Sequence, residues 1–293
     1  MNRRSFLLGI SLSLLAGACQ NSDQNSLVIG SKNFTESIIL AELLAQHIET
    51  RIEQKITRKF NLGGTLVCHQ ALIAGQIDIY PEYTGTALMA ILQEPPQSDP
   101  KLVYQTAKQA YESKFNATMT EPLGFNNTFA ILIRGEDARR LNLTTISQAT
   151  KYTPEWQAGF GYEFMSRADG FAGFSAKYQL KFKQTPKEMD LALTYRALAE
   201  KQVDLVVGNS TDGLIASLDL FILADDQNYF PPYQAVPVIY QETLKRFPNL
   251  QEILNKLAGK ITESEIQKLN ALVDVEHQDV KEVVKEFLAT KKL

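Results

Sequence analysis

Asp78 and Glu82 stand close enough in sequence to act as paired carboxylates on a glycosidic bond. Their context favours another use. Asp78 opens a buried strand and Glu82 follows Pro81 in a turn, which suits packing and local hydrogen bonding. A serine hydrolase needs a Gly-x-Ser-x-Gly elbow and a zinc protease a His-Glu-x-x-His pair, and the chain has neither. His47, His69 and His277 are scattered without metal-ligand spacing, so no metal and no cofactor are expected. Cys68 sits in the apolar run Leu66-Val67-Cys68 and reads as a small core residue. The stronger signal is a phrase used twice, 126 residues apart. Ala71-Leu72-x-x-x-Gln76-Ile77-Asp78 leads to Tyr83, and Ala197-Leu198-x-x-x-Gln202-Val203-Asp204 leads to Asn209. Each copy reads as a helix end, a short turn and a buried strand. Ligands of open α/β sheets bind beyond the carboxyl ends of the strands. Tyr83 and Asn209 are therefore candidates to face one cleft from two similar lobes.

The surrounding elements alternate strand and helix, the pattern of an α/β chain with crossover connections. Leu27 to Ile29 is a strand. Asn33 with Glu36 forms a capping-box-like pair opening an amphipathic helix through Ile52. Helices are expected around 68–74 and 100–114, with a buried strand from Phe129 to Ile133. Thr185-Pro186-x-Glu188 has the form of another helix start. Val203 to Val207 and Leu220 to Leu223 read as strands. Thr262 with Glu265, and Asp279 with Glu282, mark two helices at the end. The aromatic run Trp156, Phe160, Tyr162 and Phe164 reads as lobe core.

The N-terminus carries Arg3 and Arg4, then an apolar run from Phe6 to Leu15, too short to span a bilayer. Leu15-Ala16-Gly17-Ala18-Cys19 resembles a bacterial lipobox. Residues 1–18 are thus expected to be a signal peptide, with Cys19 lipidated and 19–26 a polar tether. The arginine pair also resembles a twin-arginine export signal, which leaves the export route open. Loss of the signal, with two Arg and no acid, takes the net charge from −3 to −5. No basic stripe argues for nucleic acid.

Seven further segments resemble, in order, the substrate-binding proteins of osmoprotectant ABC importers. They are Gly30-Ser31-Lys32-Asn33-Phe34-Thr35-Glu36-Ser37, Leu62-Gly63-Gly64-Thr65, Tyr80-Pro81-Glu82-Tyr83-Thr84-Gly85-Thr86, Leu123-Gly124-Phe125-Asn126-Asn127-Thr128-Phe129, Ser166-Arg167-Ala168-Asp169-Gly170, Ser210-Thr211-Asp212-Gly213 and Phe230-Pro231-Pro232-Tyr233. The resemblance implies an α/β, two-lobed clamp of the periplasmic-binding-protein type (type II), with the ligand cleft between lobes. One lobe is expected to comprise 27–127 plus 233–293, the other 128–232. The family takes glycine betaine, choline, carnitine and proline betaine. Carried over by position, Lys32, Thr86 and Arg167 hold the ligand carboxylate. Tyr83, Phe129 and Tyr233 form the cage for the quaternary ammonium, and Asn127 places a carbonyl near the cation. Phe129 replaces the family's usual Tyr, Asn209 another cage Tyr, and Asn127 the acid of many members. These departures point either to glycine betaine with one wall missing or to a different or larger zwitterion, such as carnitine or a histidine-derived betaine. The resemblance further implies an extracytoplasmic, membrane-anchored monomer. No nucleotide-binding motif is present, so the permease and its ATPase are expected as separate chains. An exported enzyme and a chemoreceptor ectodomain are the competing classes; the latter needs a signalling segment beyond Leu293.

Overall fold

The computed structural model describes residues 26–293. The expected signal peptide and Cys19 lie outside them. Among the described residues ten strands form two sheets. The first contains β1 (Leu27–Gly30), β2 (Ile56–Lys59), β3 (Ile79–Tyr83) and β4 (Ala117–Met119). The second contains β5 (Phe129–Arg134), β6 (Ala158–Gly161), β7 (Lys187–Met189), β8 (Leu205–Asn209) and β9 (Leu220–Leu223). β10 (Ala235–Tyr240) returns to the first sheet. Strand order is β2-β1-β3-β10-β4 in one sheet and β7-β6-β8-β5-β9 in the other. β1 lies parallel to β2 and β3, and β6 parallel to β7 and β8. β10 runs antiparallel to β3 and β4, as β5 does to β8 and β9. The two lobes of the clamp thus share one topology.

The repeated phrase is where that likeness is built atom by atom. In the first copy the backbone N–H of Asp78 donates to Val28 O at 2.7 Å, and its carboxylate accepts from Val28 N at 2.7 Å. In the second, Asp204 N donates to Gln157 O at 2.7 Å and its carboxylate accepts from Gln157 N at 3.0 Å. Gln76 N and Gln202 N bond to Ala71 O and Ala197 O, each at 2.9 Å. Each Asp also accepts from an arginine, Arg246 in one lobe and Arg134 in the other. An aspartate suits this point because its carboxylate accepts the N–H of a residue on the neighbouring segment while its own N–H donates to the carbonyl of that same residue.

Alternation along the strands divides each lobe into two apolar layers. Leu27, Ile29, Ile79 and Ile239 pack with the helix Thr35–Glu49 and the C-terminal helices Glu263–Asp274 and Val280–Lys291. Tyr80, Val236 and Val238 face the other way, onto the helices Thr65–Ile73 and Pro100–Lys114. Cys68 is buried in that second layer, and burial pushes its thiol up to about 12. In the other lobe Ile131, Ile133 and Val207 face one core, and Ala130, Leu132 and Val206 face another.

Two local readings of the sequence are corrected. Lys187–Met189 is not a helix start but an edge strand paired with β6; the helix begins at Leu191, where Asp190 accepts from Ala192 N at 2.9 Å. Glu82 is not in a turn. It lies within β3, fully buried, and Pro81 faces Pro237 across the ladder, so two residues lacking a donor share one register position. The Thr262–Glu265 capping box forms in both directions, whereas Asp279 caps its helix by accepting from Lys281 N and Glu282 N.

The chain crosses between the sheets twice, through residues 120–128 and 224–234. The two crossings run side by side: Asn126 bridges Gln234, Asn127 N donates to Tyr233 O at 3.0 Å, and Tyr233 N donates to the Asn126 side chain at 2.6 Å. Among the described residues no helix is long and apolar enough to cross a membrane.

Candidate functional site

The carboxyl ends of β1, β3, β6 and β8 and both crossings converge on a cavity of about 200 Å³. Lys32, Tyr83, Thr86, Asn127, Phe129, Arg167, Asn209 and Tyr233 all line it. The topology explains why. Lys32 follows β1, Tyr83 ends β3 and Asn209 ends β8, while Asn127 and Tyr233 lie on the adjoining crossings.

Among the described residues two cations line the cavity, each braced by an acid. Lys32 is 2% exposed; its ammonium donates to Glu82 Oε1 at 2.5 Å and Thr65 Oγ1 at 2.9 Å, and lies 5.4 Å from the Tyr83 ring centre. Arg167 makes a two-point contact with Asp169, at 2.8 and 2.5 Å, and reaches Thr86 Oγ1 at 3.3 Å. Burial opposes its charge, but Asp169 outweighs burial and drives the guanidinium pKa further up. Arg167 therefore stays cationic, and both side chains are held in orientation with donor capacity beyond the bonds they make here.

The walls are aromatic. Phe34 stacks on Tyr83 with centroids 6.2 Å apart. Phe129 is braced by Phe164 at 5.0 Å, Phe230 at 5.4 Å and Tyr233 at 5.9 Å, and the Arg167 guanidinium sits 4.9 Å from its ring centre. The Tyr233 hydroxyl donates to Asp169 Oδ2 at 2.8 Å. Burial raises the phenols of Tyr83 and Tyr233 well above their usual value, so both remain neutral donors. One aspartate thus fixes both an aromatic wall and the cation beside it. Asn127 donates its amide N–H to Glu36 at 2.8 Å, which turns its carbonyl oxygen away; that buried oxygen has no hydrogen-bond partner among the described residues.

Three contributors were not foreseen in the sequence. Phe34 lies beside Lys32 in the first resembling motif yet had no assigned role. It is the N-cap residue of Thr35–Glu49, with extended backbone and no side-chain cap, which carries its ring to the cavity. Glu36 does not form a capping box with Asn33. It is 3% exposed and turns inward to accept from Tyr83, Asn127, Thr211 and Asn270. Glu163 reaches across the cleft from the end of β6 to accept from Thr65 N, at the start of the opposite lobe's helix. Burial would raise its pKa, but Lys32, Arg167 and the Thr65 N–H overcome this and hold the carboxyl below its usual range. The aromatic run splits likewise. Phe160 and Phe164 are core, as read, but Tyr162 is 61% exposed and lines the cavity with Phe164.

A second cavity, of about 170 Å³, adjoins the first at Asn33, Phe34, Asp190, Leu191 and Asn209. Asp212 lines it, and burial raises that carboxyl to about 6. Among the described residues no cluster of His, Cys, Asp and Glu is arranged to hold a metal ion.

A family profile described as the substrate-binding domain of the ABC-type glycine betaine transport system matches residues 25–290. The chain is 38% identical over 285 residues to a carnitine transport binding protein from Listeria monocytogenes, covering 97% of this chain and 91% of that one. It is 33% identical to a glycine-betaine-binding protein from Pseudomonas aeruginosa, covering 98% and 94%. A solved structure described as a glycine betaine/carnitine/choline ABC transporter superposes with a TM-score of 0.75 at 36% identity, covering 91% of this chain and 98% of the other.

Proposed function

The chain belongs to the family of substrate-binding domains of ABC-type glycine betaine transport systems, and from that premise we propose that it captures a carboxylated quaternary ammonium compound, of which glycine betaine is the simplest, and hands it to a separate permease. The family serves transport, not catalysis, and its members work outside the cytoplasm. The observation that carries the reading is the conjunction within one cavity of aromatic faces from Tyr83, Phe129 and Tyr233 with the cations Lys32 and Arg167.

A quaternary ammonium has no N–H and cannot donate conventional hydrogen bonds. It gains from aromatic faces instead, about 0.5–2 kcal/mol for each contact when desolvated. The free carbonyl of Asn127 adds a dipole suited to a cation. The carboxylate tail requires charge-assisted donors, which Lys32 and Arg167 supply with the Thr86 hydroxyl between the two lobes. We assign the lobes as 27–127 with 233–293 and 128–232, hinged at the paired crossings. We also assign Cys19 as a lipid attachment site holding the monomer at a membrane. Replacing Cys19 with Ala should move the exported protein from the membrane to the soluble fraction; unchanged fractionation with no lipid on the native chain contradicts the anchor.

A thermal-unfolding panel tests the ligand class. Glycine betaine at about 100 times its dissociation constant should stabilise the mature chain by roughly 2.7 kcal/mol. Glycine, which lacks the methyl groups, should not stabilise it at the same concentration. Choline, which lacks the carboxylate, should act less than glycine betaine. Absence of stabilisation by any quaternary ammonium compound sinks the proposal.

A further inference from the structure

Glu36 is a buried carboxylate whose four hydrogen-bond donors are all neutral. Burial drives its pKa up while those donors oppose it. They divide cleanly between its two oxygens. Oε1 accepts from the Tyr83 hydroxyl at 2.7 Å and the Asn127 amide at 2.8 Å. Oε2 accepts from the Thr211 hydroxyl at 2.5 Å and the Asn270 amide at 2.9 Å. Tyr83 and Asn127 line the cavity assigned above to the ligand, whereas Glu36 lines only the neighbouring one. Thr211 follows β8 in the second lobe, and Asn270 lies on the helix Glu263–Asp274, packed on the first.

The two lobes meet tightly beside this carboxylate. Asn270 also donates to Thr211 O at 2.8 Å, and a Cβ placed on Gly213 would come within 2.5 Å of the Ala271 backbone. Among the described residues no hydrogen bond joins Tyr83 to Thr211 directly, so Glu36 is their link. A buried carboxylate is held only by its full set of donors, and losing one obliges the others to readjust.

Resting on the proposed ligand class, we infer that Glu36 is a positioning residue that couples the aromatic wall to the contact between lobes, so that ligand capture and closure are one cooperative event. When Thr211 withdraws as the lobes part, the carboxylate shifts toward Tyr83 and Asn127 and the cage loses its binding shape. When a ligand seats against Tyr83, Glu36 is placed to accept Thr211.

The test is a cycle of two substitutions that leave Glu36 in place. Tyr83→Phe keeps the ring and removes one donor; Thr211→Val keeps nearly the same volume and removes the other. Glycine betaine binding is measured by calorimetry for the native chain, each single variant and the double, and the same cycle is repeated in Glu36→Gln. Thermal unfolding without ligand confirms that each variant folds. Both single changes should weaken binding, and the double should fall short of their product by at least about threefold. In the Glu36→Gln background the two effects should simply multiply. Multiplicative effects in the native background overturn the coupling while leaving the ligand assignment standing. The same non-additivity persisting in Glu36→Gln overturns it too, since the link then runs elsewhere. A native chain that binds no betaine overturns both.

Discussion

Removing Arg167 separates a role on the ligand from a role in the fold. Arg167→Ala alone is a poor probe, because it leaves Asp169, which has no exposed surface, as an unpaired buried charge. Breaking a buried pair in that way costs about 3–5 kcal/mol of stability. Arg167→Ala with Asp169→Asn removes one charge of each sign and preserves an acceptor for the Tyr233 hydroxyl, whose bond to Asp169 is 2.8 Å long. If Arg167 holds the carboxylate, glycine betaine should lose roughly 2–5 kcal/mol of binding in this double variant. That corresponds to between roughly 30-fold and several thousand-fold in dissociation constant. Choline has no carboxylate, and the local net charge is unchanged, so its affinity should move little. Calorimetry on both ligands gives the difference directly. Equal losses for the two would refute the reasoning, since they would mean that Arg167 acts by supporting Phe129, whose ring lies 4.9 Å away.

Three further outcomes follow from the same geometry. Asn209→Tyr should tighten glycine betaine by up to about 2 kcal/mol if the amide merely leaves the cage open, and weaken the natural ligand if it reads a polar group there; no change in either places Asn209 outside the binding event. A Cβ added at Gly85 would lie 2.8 Å from both Pro232 O and the Tyr233 ring, so Gly85→Ala should displace that wall and cost about 0.5–2 kcal/mol of binding by calorimetry. Unaltered affinity there would show that Tyr233 is not a wall. Burial raises Asp212 to about 6 from an ordinary 3.8, so its stabilising contribution is complete below 3.8 and is lost as pH rises through 6. Asp212→Asn should therefore raise the stability of the unliganded chain at pH 7, by at most about 3 kcal/mol, and flatten its pH profile between 4 and 7; an unchanged profile contradicts the assignment.

What the sequence disclosed depended on how local the encoding was. The repeated phrase was legible because each copy is a contiguous helix end, turn and strand, and its aspartate makes the same bonds to a neighbouring strand in both lobes. Tyr83 and Asn209 were already marked by the repeated phrase and the other six candidates came through the family resemblance; all eight line one cavity because they sit at strand ends, just beyond them, or on the crossings between sheets. Glu36 was misread for a physical reason. The spacing Asn33-x-x-Glu36 satisfies a local capping rule, but the partners that turn Glu36 inward include Thr211 and Asn270, 175 and 234 residues away. Glu163 escaped notice likewise, because its acceptor role exists only once a helix from the other lobe stands opposite. Lys187–Met189 is a strand through pairing with β6, and a Thr-Pro start could not reveal that partner.

The central claim is tested most directly by a crystal structure of the mature chain with glycine betaine bound. The predicted result is a trimethylammonium group packed against Tyr83, Phe129 and Tyr233, with the carboxylate within hydrogen-bond distance of Lys32, Arg167 or Thr86. A ligand bound elsewhere, or seated with its carboxylate among the aromatic rings, would contradict it.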